Sequence, residues 1–132
     1  MYNKVFINTQ GLLEIWVIGD QTAETVREMG EKCAYFAADL RARGQSVLVL
    51  DNLLKMGATT SEARREVARV AKALDFDRAA MVGGGNLAFR YGTNLMLRAI
   101  GRPNLRYFAH HESACKWLTQ SLAAPESQQI SS

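Results

Sequence analysis

Two four-residue apolar runs, Val47-Leu48-Val49-Leu50 and Ala79-Ala80-Met81-Val82, flank a stretch whose apolar residues recur at helical spacing. A run that is apolar at consecutive positions has no polar face, so as a strand it must be covered on both sides. A helix between two such strands makes them parallel members of one sheet. That helix is expected from about Ser61 to Leu74, with Ala63, Val67, Val70 and Leu74 inward and Arg64, Arg65, Arg69 and Lys72 outward. The first run ends at Asp51, and the segment from there to Ser61 is expected to be a loop. Upstream, Val5 to Ile7 and Leu12 to Ile18, separated by Asn8-Thr9-Gln10-Gly11, read as a hairpin. Thr22 to Arg43 carries Val26, Met29, Cys33, Phe36 and Leu40 on one stripe of a long amphipathic helix, stopped by Gly44. Downstream, a helix is expected over about Asn86 to Ile100, a last strand over Leu105 to Ala109, and a short helix over Glu112 to Leu122. The fold class is therefore α/β: a mixed, largely parallel sheet in a single domain, in the order β-β-α-β-α-β-α-β-α. Residues 1–122 form this domain, and residues 123–132, polar and containing Pro125, form a flexible tail.

Composition limits what such a domain can be. With 132 residues, 48% of them hydrophobic and 22% charged, the chain has material for one core and is too short for a multidomain enzyme. A domain of this size needs no disulfide or metal staple. Cys33 and Cys115 form no CxxC pair and read as small buried hydrophobes of a reduced compartment. The first eight residues alternate polar and apolar, unlike a signal peptide. No window approaches the roughly 18 apolar residues that span a bilayer, so the expected location is cytoplasmic and not membrane-spanning. A net charge of +3 is too small for a dedicated nucleic-acid binder, and no groove-reading helix or aromatic stacking platform accompanies it, so no nucleic-acid partner is expected.

Two local stretches carry a family resemblance. Val47-Leu48-Val49-Leu50-Asp51 precedes a connection and a helix, and Arg106-Tyr107-Phe108 leads into Glu112-Ser113-Ala114-Cys115-Lys116-Trp117-Leu118. With the element order, they resemble the STAS and SpoIIAA-like group, the anti-sigma-factor antagonist fold that is also similar to the lipid-binding Sec14 type. The resemblance implies a module that binds rather than catalyses, with either a regulatory protein partner or a hydrophobic ligand. In regulatory members a phosphorylatable Ser in an Asp-Ser-Ser-Gly segment follows this strand. Counting on from Asp51 reaches Thr59-Thr60-Ser61-Glu62, where Ser61 matches the phosphoacceptor but the preceding Asp and following Gly are absent. Thr59-x-x-Glu62 also fits a helix capping box. A phosphate on Thr59, Thr60 or Ser61 would sit favourably at a helix N-terminus beside Arg64 and Arg65.

A second candidate region follows the strand at Val82. Gly83-Gly84-Gly85-Asn86-Leu87-Ala88 satisfies G-x-G-x-x-A, but a dinucleotide fold needs that turn after its first strand with two further strands to come, and only one follows. No cofactor is expected. The glycines let the chain turn tightly, and could present amides to an anion. The helix after them is apolar over an arc of roughly 220° at 100° per residue, more than packing on a sheet requires. The excess is core, a homodimer contact, or a ligand pocket walled by Phe89, Met96 and Trp16. From Arg78 to His111 the chain has no Asp or Glu, while Arg78, Arg90, Arg98, Arg102 and Arg106 fall within it. They would form either a basic rim for an anionic head group or a surface whose arginines pair with acids of the first two helices.

Catalytic signals are sparse. His110 and His111 are adjacent and cannot jointly chelate from a strand, and no metal set is expected. Cys115 lies one helical turn beyond His111, within reach of a nucleophile–base pair. An enzyme would need His111, Cys115 or Asp51 to meet in one cleft. The reading favoured is a homodimeric regulatory binding module, with contacts on Asp51 to Ser61 and the adjoining helix. A carrier of a small hydrophobic or anionic ligand, with contacts on Gly83 to Met96, is the alternative.

Overall fold

A computed structural model of the chain describes residues 2–83 and 104–120. The helix expected over Asn86 to Ile100 and the tail over residues 123–132 lie outside the described residues. Five strands and three helices are described: β1 Lys4–Ile7, β2 Leu13–Gln21, α1 Ala23–Ala42, β3 Leu48–Thr59, α2 Ser61–Ala73, β4 Arg78–Val82, β5 Leu105–Phe108 and α3 His111–Thr119. The strands lie side by side in chain order, with β1 antiparallel to β2 and the other neighbours parallel. The mixed, largely parallel α/β sheet expected from the sequence is the observed one.

Local chemistry sets the element ends. In the first turn the Asn8 side-chain oxygen accepts from the amides of Gln10 at 2.9 Å and Leu12 at 3.0 Å, while Gly11 takes φ +80°. Thr22 caps α1 by accepting from the Thr25 amide, and the Thr25 hydroxyl oxygen accepts from the Thr22 amide in return. At its other end Gly44 turns left-handed at φ +71°, so its amide reaches the Arg41 carbonyl and the Gln45 amide the Leu40 carbonyl. This pair of bonds is the Schellman stop, and it explains why the helix ends where the glycine stands.

The sheet has two cores because its strands alternate. Leu13, Ile15, Val17, Val47, Val49 and Ala79 face α1 and α2, joined there by Val26, Met29, Cys33, Ala37 and Leu40 of α1. Leu12, Leu50, Ala80 and Val82 face the other way, under Ala114 and Leu118 of α3. Helix α2 packs chiefly on α1, and the close approach falls at Gly30, where an added Cβ would lie 2.7 Å from a Val70 methyl. Val67, expected inward, is 47% exposed. It precedes by one turn the point where Gly30 lets the two helices come together.

The larger correction concerns Asp51 to Ser61. Instead of a loop, β3 runs on to Thr59, pairing Lys55 with Ile18, Met56 with Gly19 and Thr59 with Gln21. Two register shifts interrupt this ladder, between Trp16 and Ile18 and between Gly19 and Gln21. At each one β3 carries an extra residue, which breaks the period-two pattern that marks a strand. Side chains satisfy the amides displaced there: Leu54 donates to Asn52 Oδ1 at 3.0 Å, and Ala58 to Asp20 Oδ1 at 2.9 Å.

Candidate functional site

The extension of β3 builds the first feature that reads as a site. Strand β4 pairs with β3 only over Leu48–Asn52. From Leu53 to Thr59, β3 therefore has β2 on one side and, among the described residues, no strand on the other. Leu54 is 54% exposed and Met56 40%, so two large apolar side chains stand where β3 has no described strand on its β4 side. Sequence reasoning took the region as a loop and missed both residues. Their only signal was apolar character between Asn52 and Gly57.

The edge leads directly into the three hydroxyls at the start of α2. Thr60, not Thr59, is the N-cap: its hydroxyl oxygen accepts from the Ala63 amide at 3.0 Å. A cap of this kind is worth about 1 kcal/mol. Thr59 instead accepts from Arg64, whose Nη1 reaches its carbonyl at 3.0 Å and its hydroxyl at 3.2 Å. Ser61 is exposed and donates to Glu62 Oε2 at 3.3 Å. Its oxygen points to no helix amide, whereas those of Thr59 and Thr60 are engaged. Of the three hydroxyls, Ser61 is thus the one whose modification disturbs the fewest existing bonds.

Gly83 ends β4 with its amide donating to the Phe108 carbonyl at 3.1 Å. That amide is not free for an anion, contrary to expectation. An added Cβ would lie 1.9 Å from the Tyr107 hydroxyl, so the tyrosine fills the space beside the glycine. Gly84, Gly85, Asn86, Phe89, Arg90 and Met96 lie outside the described residues. Trp16 stands on the α3 side of the sheet, donating to Glu14 Oε2 at 2.6 Å with the Lys55 ammonium 5.6 Å from its ring centre. Thr59 lies seven residues along β3 from Asn52, the partner of Val82, which separates the α2 hydroxyls from the end of β4 by on the order of 20 Å.

The arginines also sit differently from expectation. Arg78 is buried, and its Nη1 donates to the Trp117 carbonyl at 2.8 Å and the Gln120 carbonyl at 3.3 Å, closing the C-terminal end of α3. Its guanidinium also lies 5.4 Å from the Trp117 ring centre, and Arg106 lies 5.3 Å from that of Phe108. Both cations serve the α3 side of the sheet instead of meeting acids of the first two helices. The four described ion pairs are Arg41 with Asp75 and Asp77, Arg43 with Asp39, and Arg69 with Glu66.

The catalytic candidates do not converge. Cys115 Sγ lies within sulfur hydrogen-bond reach of the His111 ring, 3.7 Å from Nδ1 and 3.8 Å from Nε2, but Asp51 does not join them. Burial, and then the charge of Glu14, push its thiol up, the opposite of what an activated nucleophile needs. Asp51 is on the other face of the sheet: alternation places it with Val49 and Leu53, on the α1 side. Its Oδ1 is buried without a hydrogen-bond partner among the described residues, and burial raises the carboxyl to about 7. Burial, and then Asp51, push the neighbouring Cys33 thiol up to about 12. No group of three metal-ligating side chains occurs among the described residues. No described helix is long and apolar enough to cross a membrane. A groove of about 500 Å³ between α1 and α2 has a floor of small and apolar residues, Gly30, Ala34, Ala37 and Val70 among them, and also takes in the charged residues Arg27, Glu31, Arg41, Arg69 and Asp75.

No protein-family profile and no curated protein matches the chain. Solved structures do, two of them as follows. One is a protein of the DUF3478 family from Shewanella loihica with a SpoIIAA-like fold, 16% identical over 88% of this chain and 91% of that one, with a TM-score of 0.62. The other is the anti-sigma-factor antagonist SpoIIAA in its unphosphorylated form, 12% identical over 90% of this chain and 99% of that one, with a TM-score of 0.52. Likeness of this degree concerns the fold, and the chain has the STAS/SpoIIAA-like fold.

Proposed function

We propose that the protein is a regulatory binding module that engages a protein partner along the open β3 edge and the start of α2. The observation that carries this reading is the continuity of Leu53 to Ser61. Within nine residues it joins a strand edge with no partner among the described residues, two exposed apolar side chains and an accessible serine at a helix N-terminus. Strand edges bind extended segments through main-chain hydrogen bonds, with side chains such as Leu54 and Met56 supplying selectivity. A phosphate on Ser61 would place negative charge on the α2 N-terminus near Arg64, next to that edge. The reading gains support from the fold shared with an anti-sigma-factor antagonist described in an unphosphorylated form. The lack of convergence among Asp51, His111 and Cys115 favours binding over catalysis. The same edge would serve a homodimer, in which case the partner is a second copy of the chain.

Incubation of the full chain with ATP and a kinase-containing extract of the cells that carry it tests the switch. Phosphate is expected on Ser61, in preference to the bonded Thr59 and Thr60. Its absence from all three, with phosphate found on other serines or on none, contradicts the switch.

A further inference from the structure

Asp51 sits where a carboxylate is hardest to accommodate. It lies mid-sheet, in register with Ile15 of β2 on one side and Met81 of β4 on the other. Its side chain shares the α1 face with Val49 and Leu53, and its Oδ1 is buried with no partner. The described neighbours offer no compensating charge. Strand β2 presents Leu13, Ile15 and Val17 on this face, and β4 presents Ala79 and Met81. Helix α2 contributes Ala63, Val70 and Leu74, and α1 contributes Val26, Met29, Cys33, Ala37 and Leu40. Among these described groups only the Cys33 thiol titrates, and it is 1% exposed. One strand beyond Met81, Tyr107 is the next titratable side chain on this face.

A carboxyl with one oxygen sealed in this way is favoured neutral, since ionising it carries a desolvation cost that no described partner offsets. Asp51 as a whole is only partly buried, and its sealed oxygen, Oδ1, gains water if the Met29 to Ala37 stretch of α1 lifts from β3. The residue after Asp51 is Asn52, whose side chain holds the first bulge by accepting from the Leu54 amide. Movement of Asp51 is thus passed to the segment that leaves β4 and carries the open edge.

We infer that Asp51 is a proton-operated latch: protonated, it lets α1 seat on the sheet, and on ionisation it releases α1 and the bulge at Leu54. Burial raises the carboxyl to about 7, which places the transition in the neutral range. The inference stands on the interior of the sheet and does not depend on what binds the β3 edge.

Hydrogen exchange of the full chain between pH 5 and 8, corrected for intrinsic exchange rates, tests the latch. The open state carries an ordinary carboxyl and the closed state a raised one. Opening at the amides of Met29 to Ala37 and at Leu54 should therefore rise about tenfold per pH unit from 5 to 7 and level off above it. In Asp51→Asn, which cannot ionise, the corrected rates should not change with pH. A carbon-13 titration of the Asp51 carboxyl in the parent chain should give the same midpoint near 7. A carboxyl that titrates below pH 5, or α1 amides whose pH dependence survives Asp51→Asn, overturns the inference.

Discussion

Replacing Asp51 by Asn should raise the unfolding free energy at pH 8 by about 2–4 kcal/mol and leave it nearly unchanged at pH 4. The folded carboxyl holds its proton up to about 7, whereas the unfolded one loses it at the ordinary value near 4. Between those values the folded chain binds more protons than the unfolded one, so stability is complete below pH 4 and falls as pH rises toward 7. Three pKa units correspond to about 4 kcal/mol. The residue as a whole is only partly buried, which brings the effect toward the lower end of the range. Urea unfolding of both proteins at the two pH values, followed by tryptophan fluorescence, measures the difference. A variant less stable than its parent at pH 8, or an equal change at both pH values, would show that the carboxyl is already ionised and paired.

Leu118→Ala should cost about 2–5 kcal/mol, a large share of the 5–15 kcal/mol that holds a domain of this size together. Leu118 is 0% exposed and packs among Leu12, Leu50, Ala80 and Val82. Only Ala114 and Leu118 of α3 are fully buried, and a helix of nine residues has little stability of its own. Loss of the leucine opens a cavity and removes the largest fully buried side chain that seats α3. Val67→Ala, on α2, makes the informative comparison. Its side chain is 47% exposed, so the same kind of truncation should cost less than about 0.5 kcal/mol. Equal losses in the two variants would mean that the division between the α3 core and the α2 surface is wrong.

Much of this architecture is legible in the chain. Apolar runs at Val47 and Ala79, the stripe along α1, and Gly44 as its stop each depend on local chemistry, and each stands where the sequence puts it. What stays hidden depends on partners distant in sequence. The strand beyond Asp51 is disguised by two bulges, one of which is satisfied by Asp20, 38 residues away. Once the strand is ended at Asp51, that residue reads as a polar terminator, when it is in fact a mid-sheet residue in register with Ile15 and Met81. Arg78 misleads in the same way. A charged residue before an apolar run suggests solvent, yet here it reaches 39 residues along the chain to the carbonyl of Trp117. The choice between Thr59 and Thr60 as cap was a single-residue matter, decided by how far β3 runs.

Site-specific photocrosslinking in cells that carry the protein addresses the binding claim most directly. A benzophenone side chain at position 54, on the open β3 edge, is compared with one at Tyr35, which is 71% exposed on α1. The account predicts a single covalent adduct of defined mass from position 54, none from position 35, and loss of that adduct when Ser61→Glu is added. Adducts at twice the chain's mass would identify the partner as a second copy. The same ladder of products from both positions, or no product from position 54, would contradict the assignment of the β3 edge as the contact surface.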